Sequence, residues 1–473
     1  MRDRIHLPQP LAALAERVAR AFAEDGHELY LVGGVVRDLL LGAPLGTDLD
    51  FASDALPEAA RSALARLRPD GMYDVGKRFG TMGAVFGGVR VEVTTYRAEA
   101  YAAGSRKPDV AFQGRLDDDL ARRDFTINAI AAEPLGGQLV DPLGGRQDLE
   151  RQRLRAVGEP SERFLDDPLR LLRAVRFASR LHFELDPPTA SAVRATAEAL
   201  ASISRERVRD ELDKIVAGAA PARGIALLCE LGLAAHTLPE LLALRGMRQE
   251  TGRHKDVFTH TLQVLDRTPP RLALRWAALL HDVAKPRTLS MTANGEVHFF
   301  GHDALGARVT RRILTELHQP HELVERASRL VGMHLRANAY DASWTDGAVR
   351  RFVREVGEDL LEDVLALSRA DVTTGRADRR LAIAGRVAEL EQRILALSAE
   401  EDIARLDSPL DGNALMALFE RGPGPWIRPI KDRLRELVID GELAEDDQAT
   451  ATAIARQLYA EVTDQAHETA RLR

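Results

Sequence analysis

Two aspartates separated by one apolar residue, Asp48 and Asp50, are the first residues whose spacing could do chemistry. On a β-strand, side chains alternate between the two faces, so both carboxylates would point to the same side. Two carboxylates on one face repel each other unless a cation neutralises them. Mg²⁺ typically binds through one or two carboxylates together with substrate phosphates. The pair therefore predicts a magnesium site, and Glu92 on a later predicted strand is a candidate third carboxylate.

A glycine pair precedes the two aspartates in the stretch LVGGVVRDLLLGAPLGTDLDF, residues 31–51. Gly33 and Gly34 would let backbone N–H groups approach a triphosphate closely, because they lie just ahead of a predicted short helix. Arg37 follows within one helical turn and could bind the same phosphates. A solvated strand edge and an ordinary turn are the alternative explanation. The combination is typical of a two-metal site for phosphoryl transfer.

The elements that would position these residues are mixed up to about residue 135 and helical beyond it. HELYLVGG and TDLDFAS read as strands around the helix VRDLLLG, and GTMGAVFGGVRVEVTTYRA reads as a hairpin turning at Gly87-Gly88. Later segments such as AVRRFVREVGEDLLEDVLALSRADV have helical periodicity. We therefore predict an α+β fold with a mixed α/β head and an all-helical remainder.

Bulk composition is that of a soluble globular protein of several domains, since 473 residues exceed what one core usually holds. The single cysteine, Cys229, rules out an internal disulfide framework and fits a reducing compartment. The first 22 residues are charged throughout and lack an apolar signal stretch, so a cytoplasmic protein is expected. No apolar run approaches the roughly 18 residues of a membrane span. The net charge of −7 excludes a general polycation but allows a local basic groove.

Residues 31–51 resemble motif A of class II tRNA nucleotidyltransferases, the family of CCA-adding enzymes and bacterial poly(A) polymerases. The segment RRDFTINAIA, residues 122–131, is similar to the second motif of this family. Three further segments of this sequence resemble the remaining motifs in the family's order: DPLGGRQDLERQRLRAVG, DDPLRLLRAVRF and SRERVRDELDKI. The resemblance implies a polymerase-β-like head with Mg²⁺ on Asp48 and Asp50, followed by a helical neck, body and tail.

Several side chains of the later motifs would bind the nucleotide if the resemblance holds. Arg122 and Arg123 would bind phosphate or ribose, Asp124 would hold an arginine in place, and Asn128 would contact the ribose. A basic pair exposed ahead of a helix is the alternative explanation for the two arginines. Arg173 and Arg176 continue the helix face of the fourth motif at steps of three residues and would meet phosphate or a carboxylate of the neck.

The family selects its nucleotide with a protein template, Glu-Asp-x-x-Arg, which reads Asp166-Asp167-Pro168-Leu169-Arg170 in this sequence. A carboxylate accepts from the exocyclic amine of C or A, and an arginine donates to a ring acceptor. Asp167 and Arg170 match the template, whereas Asp166 replaces the usual Glu. Asp167 before Pro168 is also a standard N-cap, and the two roles are compatible.

A segment between the head strands and the second motif, TTYRAEAYAAGSRKPDVAF at residues 94–112, resembles the flexible loop that CCA-adding members use to switch from C to A. Its length is close to that of full CCA-adding enzymes, whereas enzymes that add only CC have a shorter loop. The stretch AAGSRKPD departs from the more acidic sequence of the family.

A second constellation lies in the helical part, where histidines and aspartates follow the order H…HD…H…H…D. This order resembles the HD phosphohydrolase superfamily. The resemblance implies a divalent ion, Mg²⁺, Mn²⁺ or Ni²⁺, on His260, His281, Asp282 and Asp371. His302 and His334 would line a second metal site or bind phosphate, and Lys285 would assist. A metal held there would activate water to attack a phosphoester, giving phosphatase or 2′,3′-cyclic phosphodiesterase activity.

These resemblances predict four domains, a function and its partners. The domains are a nucleotidyltransferase head at 1–136, a nucleotide-selecting neck at 137–220, a helical body with the HD domain at 221–395, and a tRNA-binding tail at 396–473. The expected function is addition of the 3′-terminal CCA to tRNA from CTP and ATP without a nucleic-acid template. Addition of only A or only CC, and poly(A) synthesis, remain open. So do two functions of another class, an HD phosphohydrolase whose head only binds RNA and a structural RNA-binding protein. No membrane partner is expected, and the oligomeric state stays open.

Overall fold

The computed structural model describes residues 4–74, 80–100, 109–112, 114–247, 256–292, 297–372, 377–400 and 408–471. The chain divides into two compact units, Met1–Leu242 and Ala243–Arg473, called here the first and the second unit. This division lies near the predicted boundary between neck and body. The finer division into head, neck, body and tail stays a prediction.

Strands are concentrated in the first unit, as the sequence predicts. They are β1 Leu29–Val32, β2 Asp48–Ser53, β3 Gly71–Asp74, β4 Thr81–Phe86, β5 Val89–Thr95, β6 Arg97–Ala100, β7 Asp109–Phe112, β8 Ala131–Ala132, β9 Leu139–Val140, β10 Arg153–Leu154, β11 Glu184–Leu185, β12 Ser290–Met291 and β13 Val297–His298. The strands from β8 onward have two residues each. The chain after residue 135 is thus not purely helical, because short paired segments tie its helices together.

Helices fill the rest of the first unit. They are α1 Leu11–Glu24, α2 Gly34–Leu41, α3 Pro57–Arg66, α4 Leu116–Ala121, α5 Gly145–Glu150, α6 Pro160–Asp166, α7 Leu169–Leu181, α8 Pro187–Ala195, α9 Arg205–Val216, α10 Pro221–Glu230 and α11 Ala234–Thr237. Short 3₁₀ segments lie at Thr126–Asn128, Ala197–Ser202, Pro239–Leu244 and Ala337–Ala339.

The second unit is built almost entirely from helices. They are α12 Val257–Arg267, α13 Leu272–Leu280, α14 Lys285–Thr288, α15 His302–Glu316, α16 His321–Met333, α17 Asp346–Val356, α18 Glu358–Asp371, α19 Ala377–Glu400, α20 Gly412–Leu418, α21 Ile427–Ile439 and α22 Gln448–Arg471. None of the helices in the described ranges is both long and apolar enough to span a membrane.

A seven-stranded mixed sheet, in the order β3-β4-β5-β2-β1-β8-β9, forms the centre of the first unit. β2 runs parallel to β5 and antiparallel to β1, and β4 and β5 form the predicted hairpin. Helix α2 connects β1 with β2, which confirms the predicted strand–helix–strand order. Alternation along β2 buries Leu49 and Phe51 and leaves Asp48 and Asp50 on the opposite face.

The apolar side of the sheet is covered by α1 and α3, which contribute Val18, Phe22 and Leu64 to the core. Helix α1 ends near Gly26, as predicted, because this glycine adopts a positive φ of 78°. Beyond the sheet, α7 packs against α9 and α10 and buries an apolar stripe that includes Leu171 and Val175. This packing holds the N-terminal end of α7 in a defined position within the first unit.

One segment of helical periodicity in the second unit forms two helices. The segment AVRRFVREVGEDLLEDVLALSRADV forms α17 and α18, which meet at Gly357 with a φ of 86°. This φ is incompatible with a continuous right-handed helix. In the described part of the second unit, α12, α13, α15, α16 and α18 pack together, and a separate apolar cluster around Leu415, Trp426 and Ile430 joins α20, α21 and α22.

Candidate functional site

Three carboxylates lie on one face of the sheet, on the neighbouring central strands β2 and β5. Asp50 lies directly beside Glu92 in the parallel register of β2 and β5, and Asp48 lies beside Arg90. Arg90 donates two hydrogen bonds of 2.8 Å to the Asp48 carboxylate, and Tyr73 donates one of 3.1 Å to Glu92 Oε1. Burial raises the pKa of the Asp50 carboxyl to about 6, and the negative charge of Glu92 adds to the rise. An acidic cluster with such a carboxyl fits a divalent cation.

The glycine turn lies next to this cluster. Gly33 has a φ of 75°, and a Cβ built on it would lie 3.4 Å from Arg123 Nη1 and 3.7 Å from Asp50 Oδ2. α2 begins at Gly34, so the N-terminus of this helix opens beside the carboxylates. The structure thus brings together the Gly33 turn, Asp50 and Arg123, although they lie up to 90 residues apart in sequence.

Arg37 is buried and hydrogen-bonded to protein groups, so it is not freely accessible to a phosphate. Its side chain is 3% exposed, donates 2.7 Å to Asn128 Oδ1 and 2.8 Å to Asp38, and its guanidinium lies over the Phe177 ring. Asn128 in turn donates to Asp124 Oδ1 at 3.0 Å. Direct contacts of Arg37 with phosphate and of Asn128 with ribose stay predictions.

Asp124 holds an arginine in place, and the arginine is Arg173 of α7. Two hydrogen-bond distances of 2.7 and 2.6 Å join the Arg173 guanidinium to Asp124 Oδ2, and the Phe125 amide donates to Asp124 Oδ1. Burial by itself would raise the pKa of Asp124, but Arg173 and the other donors outweigh it and hold the pKa below its ordinary value. This ion pair ties the second motif to the helix that carries the candidate template.

Replacing Asp124 with Asn should therefore destabilise the fold in a pH-dependent way. A carboxyl whose pKa is depressed in the folded state stabilises the protein above its unfolded-state pKa of about 4, and that stabilisation is lost as pH falls through the folded pKa. We expect Asp124→Asn to lose about 2–3 kcal/mol near neutral pH. The difference from wild type should shrink below about pH 4. Urea unfolding followed by circular dichroism across this pH range measures it, and a pH-independent difference would contradict it.

The candidate template residues lie at the start of α7. Pro168 occupies the N-cap position of α7 in place of the predicted Asp167, and the Asp167 carboxylate accepts from the Leu169 amide at 3.3 Å and pairs with Arg207 of α9 at 3.2 Å. Arg170 donates to the backbone carbonyls of Arg122, at 2.8 Å, and Arg163, at 3.1 Å. Asp166 is the last residue of α6 and lies 3.4 Å from Arg163. Arg170, the candidate template arginine, is thus hydrogen-bonded to the backbone of the second motif.

An aromatic ring that sequence reasoning missed organises the arginines of this region. The guanidinium groups of Arg37, Arg173 and Arg176 lie 4.3 to 5.3 Å from the centre of the Phe177 ring. Arg176 also donates to Glu211 Oε2 at 2.6 Å, and Glu211 is almost fully buried. The helical spacing of Arg173, Arg176 and Phe177 in α7 could have indicated that they share a face of the helix. The contact with Glu211 could not be predicted in this way, because Glu211 lies in α9.

The resemblance to a flexible loop concerns residues 94–112, of which 101–108 lie outside the described residues. The flanking strands β6 and β7 pair antiparallel, with Ala100 opposite Asp109. The arms of the segment therefore form a ribbon in the first unit.

In the second unit, the predicted histidines and aspartates converge from five helices, α12, α13, α15, α16 and α18, or from the residues directly after them. Two groups of candidate metal ligands have ligand atoms within 4.8 Å of one another: His260, His281 and Asp371, and Asp282, His302 and His334. Asp282 lies between them, because its Oδ2 is 3.2 Å from His281 Nε2 and its Oδ1 is 3.6 Å from His302 Nε2. This arrangement differs in detail from the sequence interpretation, which grouped Asp282 with the first set.

Three of the histidines direct Nε2 toward the cluster. His281, His302 and His334 each place Nδ1 2.7 or 2.8 Å from the carbonyl three residues earlier, so Nδ1 carries the proton and the Nε2 lone pair is available. Burial lowers the pKa of His334 to about 4, and His281 contributes to the lowering. The donor set of imidazoles and carboxylates therefore fits divalent metal ions.

Two further side chains support these ligands, and the sequence indicated only one of them. Lys285 donates to Asp282 Oδ2 at 2.6 Å, which agrees with its predicted place near the site. Asn338, which sequence reasoning missed, donates to Asp371 Oδ2 at 3.3 Å and accepts from Ser368 at 2.6 Å. The Asn338 amide therefore orients the Asp371 carboxylate.

Three known domain families match the sequence. The poly A polymerase head domain matches residues 29–155, the probable RNA and SrmB-binding site of polymerase A matches residues 182–244, and the HD domain matches residues 256–376. The first match covers the acidic cluster and the glycine turn, and the third covers the histidine–aspartate groups, whereas the candidate template at residues 166–170 lies between the first two matches.

Relatives match nearly the whole chain. An A-adding tRNA nucleotidyltransferase of Deinococcus radiodurans is 40% identical over 434 residues, which cover 89% of this chain and 94% of the relative. A CCA-adding enzyme of Geobacillus stearothermophilus is 33% identical over 436 residues, covering 91% and 93%. The crystal structure of a Bacillus stearothermophilus CCA-adding enzyme in complex with CTP superimposes with a TM-score of 0.69 at 28% identity, covering 99% of this chain and 100% of that one. With the fold, the motifs and these similarities in agreement, the chain belongs to the family of tRNA nucleotidyltransferases that includes the A-adding and CCA-adding enzymes.

Proposed function

We propose that this protein completes the 3′ end of tRNA by adding CCA from CTP and ATP, with the protein itself selecting each nucleotide. The observation that carries this proposal is the cluster of Asp48, Asp50 and Glu92 beside the Gly33 turn and Arg123. A triphosphate bound at this turn would have its phosphates between the backbone amides at the start of α2 and the acidic cluster. The names of the relatives support the same substrates.

In the proposed reaction, the residues of this chain bind and orient the reactants. Asp48, Asp50 and Glu92 would hold Mg²⁺, and Gly33, Gly34, Arg122 and Arg123 would align the triphosphate. When bound, Mg²⁺ lowers the pKa of the attacking 3′-hydroxyl and neutralises charge on the leaving pyrophosphate. The rest of the catalytic effect comes from positioning, because phosphoryl transfer needs little covalent chemistry from the protein.

Selection of C and A is proposed to come from Asp167 and Arg170. The Arg170 guanidinium is held by two backbone carbonyls, and its distance of 2.8 Å to the Arg122 carbonyl links it to the triphosphate-binding arginines. Asp167 is 36% exposed, and its partner Arg207 is 51% exposed, so the carboxylate is accessible to a base. Both C and A offer an amine donor beside a ring acceptor, a pattern that G and U lack.

Replacing Asp167 with Ala should relax this selection. We expect the preference for CTP and ATP over UTP and GTP to fall by about 10- to 100-fold, since one well-placed polar pair contributes on that scale to base discrimination. Incorporation of each nucleotide, measured separately on tRNA, reports the effect. As the matched control, Asp210→Ala removes a carboxylate of α9 that pairs with Arg209 and lies outside the template. Equal relaxation by this variant and Asp167→Ala would count against a template role for Asp167.

The products decide between CCA addition and its alternatives. tRNAs ending before CCA and after CC, together with a generic RNA, are incubated with CTP and ATP separately and in combination, and product lengths are read on a sequencing gel. The proposal expects two additions with CTP alone and three with both nucleotides on the shortest tRNA. Extension of the CC-ended tRNA alone would instead identify an A-adding enzyme. Arrest after two additions with both nucleotides would identify a CC-adding enzyme, and long tails on generic RNA a poly(A) polymerase.

A-adding activity is the second candidate, and one specific observation favours it. The relative named A-adding tRNA nucleotidyltransferase is 40% identical over 89% of this chain, whereas the CCA-adding relatives that match as much of this chain are 30–33% identical. The candidate template does not separate the two, because A selection needs the same carboxylate and arginine.

The second unit is proposed to add a metal-dependent phosphohydrolase activity of the phosphatase or 2′,3′-cyclic phosphodiesterase type. The two groups of ligands sharing Asp282 support it. His260, His281, Asp282 and Asp371 would hold one divalent ion, and His302 and His334 with Asp282 a second. Metal bound there would supply an activated water. Lys285, 12% exposed next to Asp282, would neutralise a substrate phosphate.

A further inference from the structure

Asp119 of α4 is a fully buried carboxylate that does not belong to any of the motifs discussed above. Its exposed fraction is 0%, and both of its oxygens are engaged by the two adjacent arginines of the second motif. Arg122 donates to Oδ1 at 3.0 and 2.6 Å, and Arg123 donates to Oδ2 at 3.3 and 2.9 Å. Each arginine thus presents two N–H groups to one oxygen of the same carboxylate.

The arrangement lies at the C-terminal end of α4, which ends at Ala121. Arg122 occupies the C-cap position and Arg123 follows it, so the two arginines turn back onto Asp119, three and four residues earlier. Burial by itself would raise the pKa of Asp119, but Arg123 and Arg122 outweigh it and keep the pKa below its ordinary value. The carboxylate is therefore ionised at neutral pH and forms charge-assisted hydrogen bonds.

The two arginines are not buried with it. Their side chains remain 23% and 20% exposed, and Arg123 Nη1 is the atom that lies beside the Gly33 turn. The Nε and Nη2 atoms of Arg123 face Asp119, while Nη1 points toward the place proposed for the triphosphate. An arginine has many rotamers, and fixing them before binding removes that entropic cost from ligand binding.

We infer that Asp119 is a positioning residue of nucleotidyl transfer, which fixes Arg122 and Arg123 in the orientation that receives the nucleotide triphosphate. This inference rests on the proposed function of the head and adds a residue to it. Without Asp119, both arginines would still be present but would have to be ordered by the ligand.

The test compares binding of CTP and of cytidine to the full-length protein by titration calorimetry. Asp119→Asn keeps the shape of the side chain and removes its charge. We expect CTP affinity to fall about 10- to 100-fold and cytidine affinity to change little. The lost hydrogen bonds orient Arg122 and Arg123, which are proposed to bind the phosphates, and cytidine has no phosphates. Equal loss for CTP and cytidine, or no loss for either, would overturn the inference.

A matched control removes a similar carboxylate from the other unit. Asp363 is 1% exposed and pairs with Arg326 at 2.6 Å and Arg271 at 3.0 Å, so it too joins two arginines. Asp363→Asn should lower thermal stability without changing the ratio of CTP to cytidine affinity. If Asp363→Asn changed that ratio as much as Asp119→Asn, the effect would be one of general stability and the inference would be wrong.

A double-mutant cycle tests whether Asp119 acts through the arginines. In a protein that carries both Arg122→Gln and Arg123→Gln, adding Asp119→Asn should cause no further loss of CTP affinity beyond about twofold. Additive losses would overturn the positioning role. If Asp119→Asn is not recovered folded, Asp119→Glu displaces the charge by one methylene and serves the same comparison. Because the readout is binding, a protein that binds CTP but does not extend tRNA would contradict the proposed function and leave this comparison intact.

Discussion

Replacing both Asp48 and Asp50 with Ala is expected to reduce nucleotide incorporation into tRNA by at least about 1000-fold. The physical reason is that these carboxylates are the proposed anchors of Mg²⁺, whose stabilisation of developing charge contributes several kcal/mol. The proposed phosphohydrolase activity of the second unit should stay unchanged, because its candidate ligands lie in the other unit. Incorporation of radiolabelled CTP and ATP measures the first activity, and hydrolysis of a 2′,3′-cyclic nucleotide measures the second.

Asp54 offers a matched control for this pair. It follows the end of β2 and is 41% exposed, compared with 51% for Asp48, but it contacts His27 and the Glu28 amide instead of the acidic cluster. Asp54→Ala should leave incorporation within about threefold of wild type, as surface substitutions away from a site usually do. Persistent incorporation by the Asp48 and Asp50 variant, with normal folding by circular dichroism, would show that the metal site lies elsewhere.

The acidic cluster illustrates what the sequence can predict and where it stops. The alternation Asp48-Leu49-Asp50 was enough to place both carboxylates on one face, because a strand has a period of two. The position of Glu92 next to Asp50 depends on β2 and β5 pairing in parallel in one particular register. Such a register is decided by the packing of the whole sheet, so local sequence could mark Glu92 only as a candidate.

The arginines illustrate a different limit. Residue types and the family resemblance indicated a set of arginines near the nucleotide: Arg37, Arg122, Arg123, Arg173 and Arg176. They did not indicate which of these arginines form ion pairs within the protein. Asp119 could have been found from its spacing of three and four residues. Glu211 and Asp124 reach Arg176 and Arg173 only because α7 packs on α9 and on the second motif. These long-range contacts are products of tertiary packing.

Backbone conformation at Gly357 accounts for a further difference between the helices that the sequence indicates and those in the structure. The sequence pattern indicated helix on both sides of Gly357 and did not mark a break there. The positive φ of this glycine starts a new helix direction at α18, the helix that ends at Asp371. The break therefore helps to determine where a predicted metal ligand lies, and periodicity alone does not reveal it.

Replacing Asp282 with Asn is expected to abolish phosphohydrolase activity while sparing tRNA extension. Asp282 lies between the two ligand groups and is 1% exposed, and its Oδ2 is 2.6 Å from Lys285 Nζ and 3.2 Å from His281 Nε2. Burial by itself would raise the pKa of Asp282, but His281 and Lys285 outweigh it and hold the pKa well below its ordinary value, so the side chain is an anion. Asn keeps the size but loses that charge. We expect activity to fall by more than the roughly 10- to 100-fold that loss of an outer-shell partner costs.

Metal content and hydrolysis together decide this prediction. Bound divalent metal, measured by plasma mass spectrometry after dialysis, should fall in Asp282→Asn together with hydrolysis of a 2′,3′-cyclic nucleotide. Asp303→Asn is the control, because this neighbour of His302 belongs to neither ligand group. Trp276, Trp344 and Trp426 all lie in the second unit, so tryptophan fluorescence checks that unit's folding directly. If the variant kept its metal but lost hydrolysis, Asp282 would act in the reaction and would not be needed to hold the metal. If hydrolysis were unchanged, Asp282 would not be part of the site.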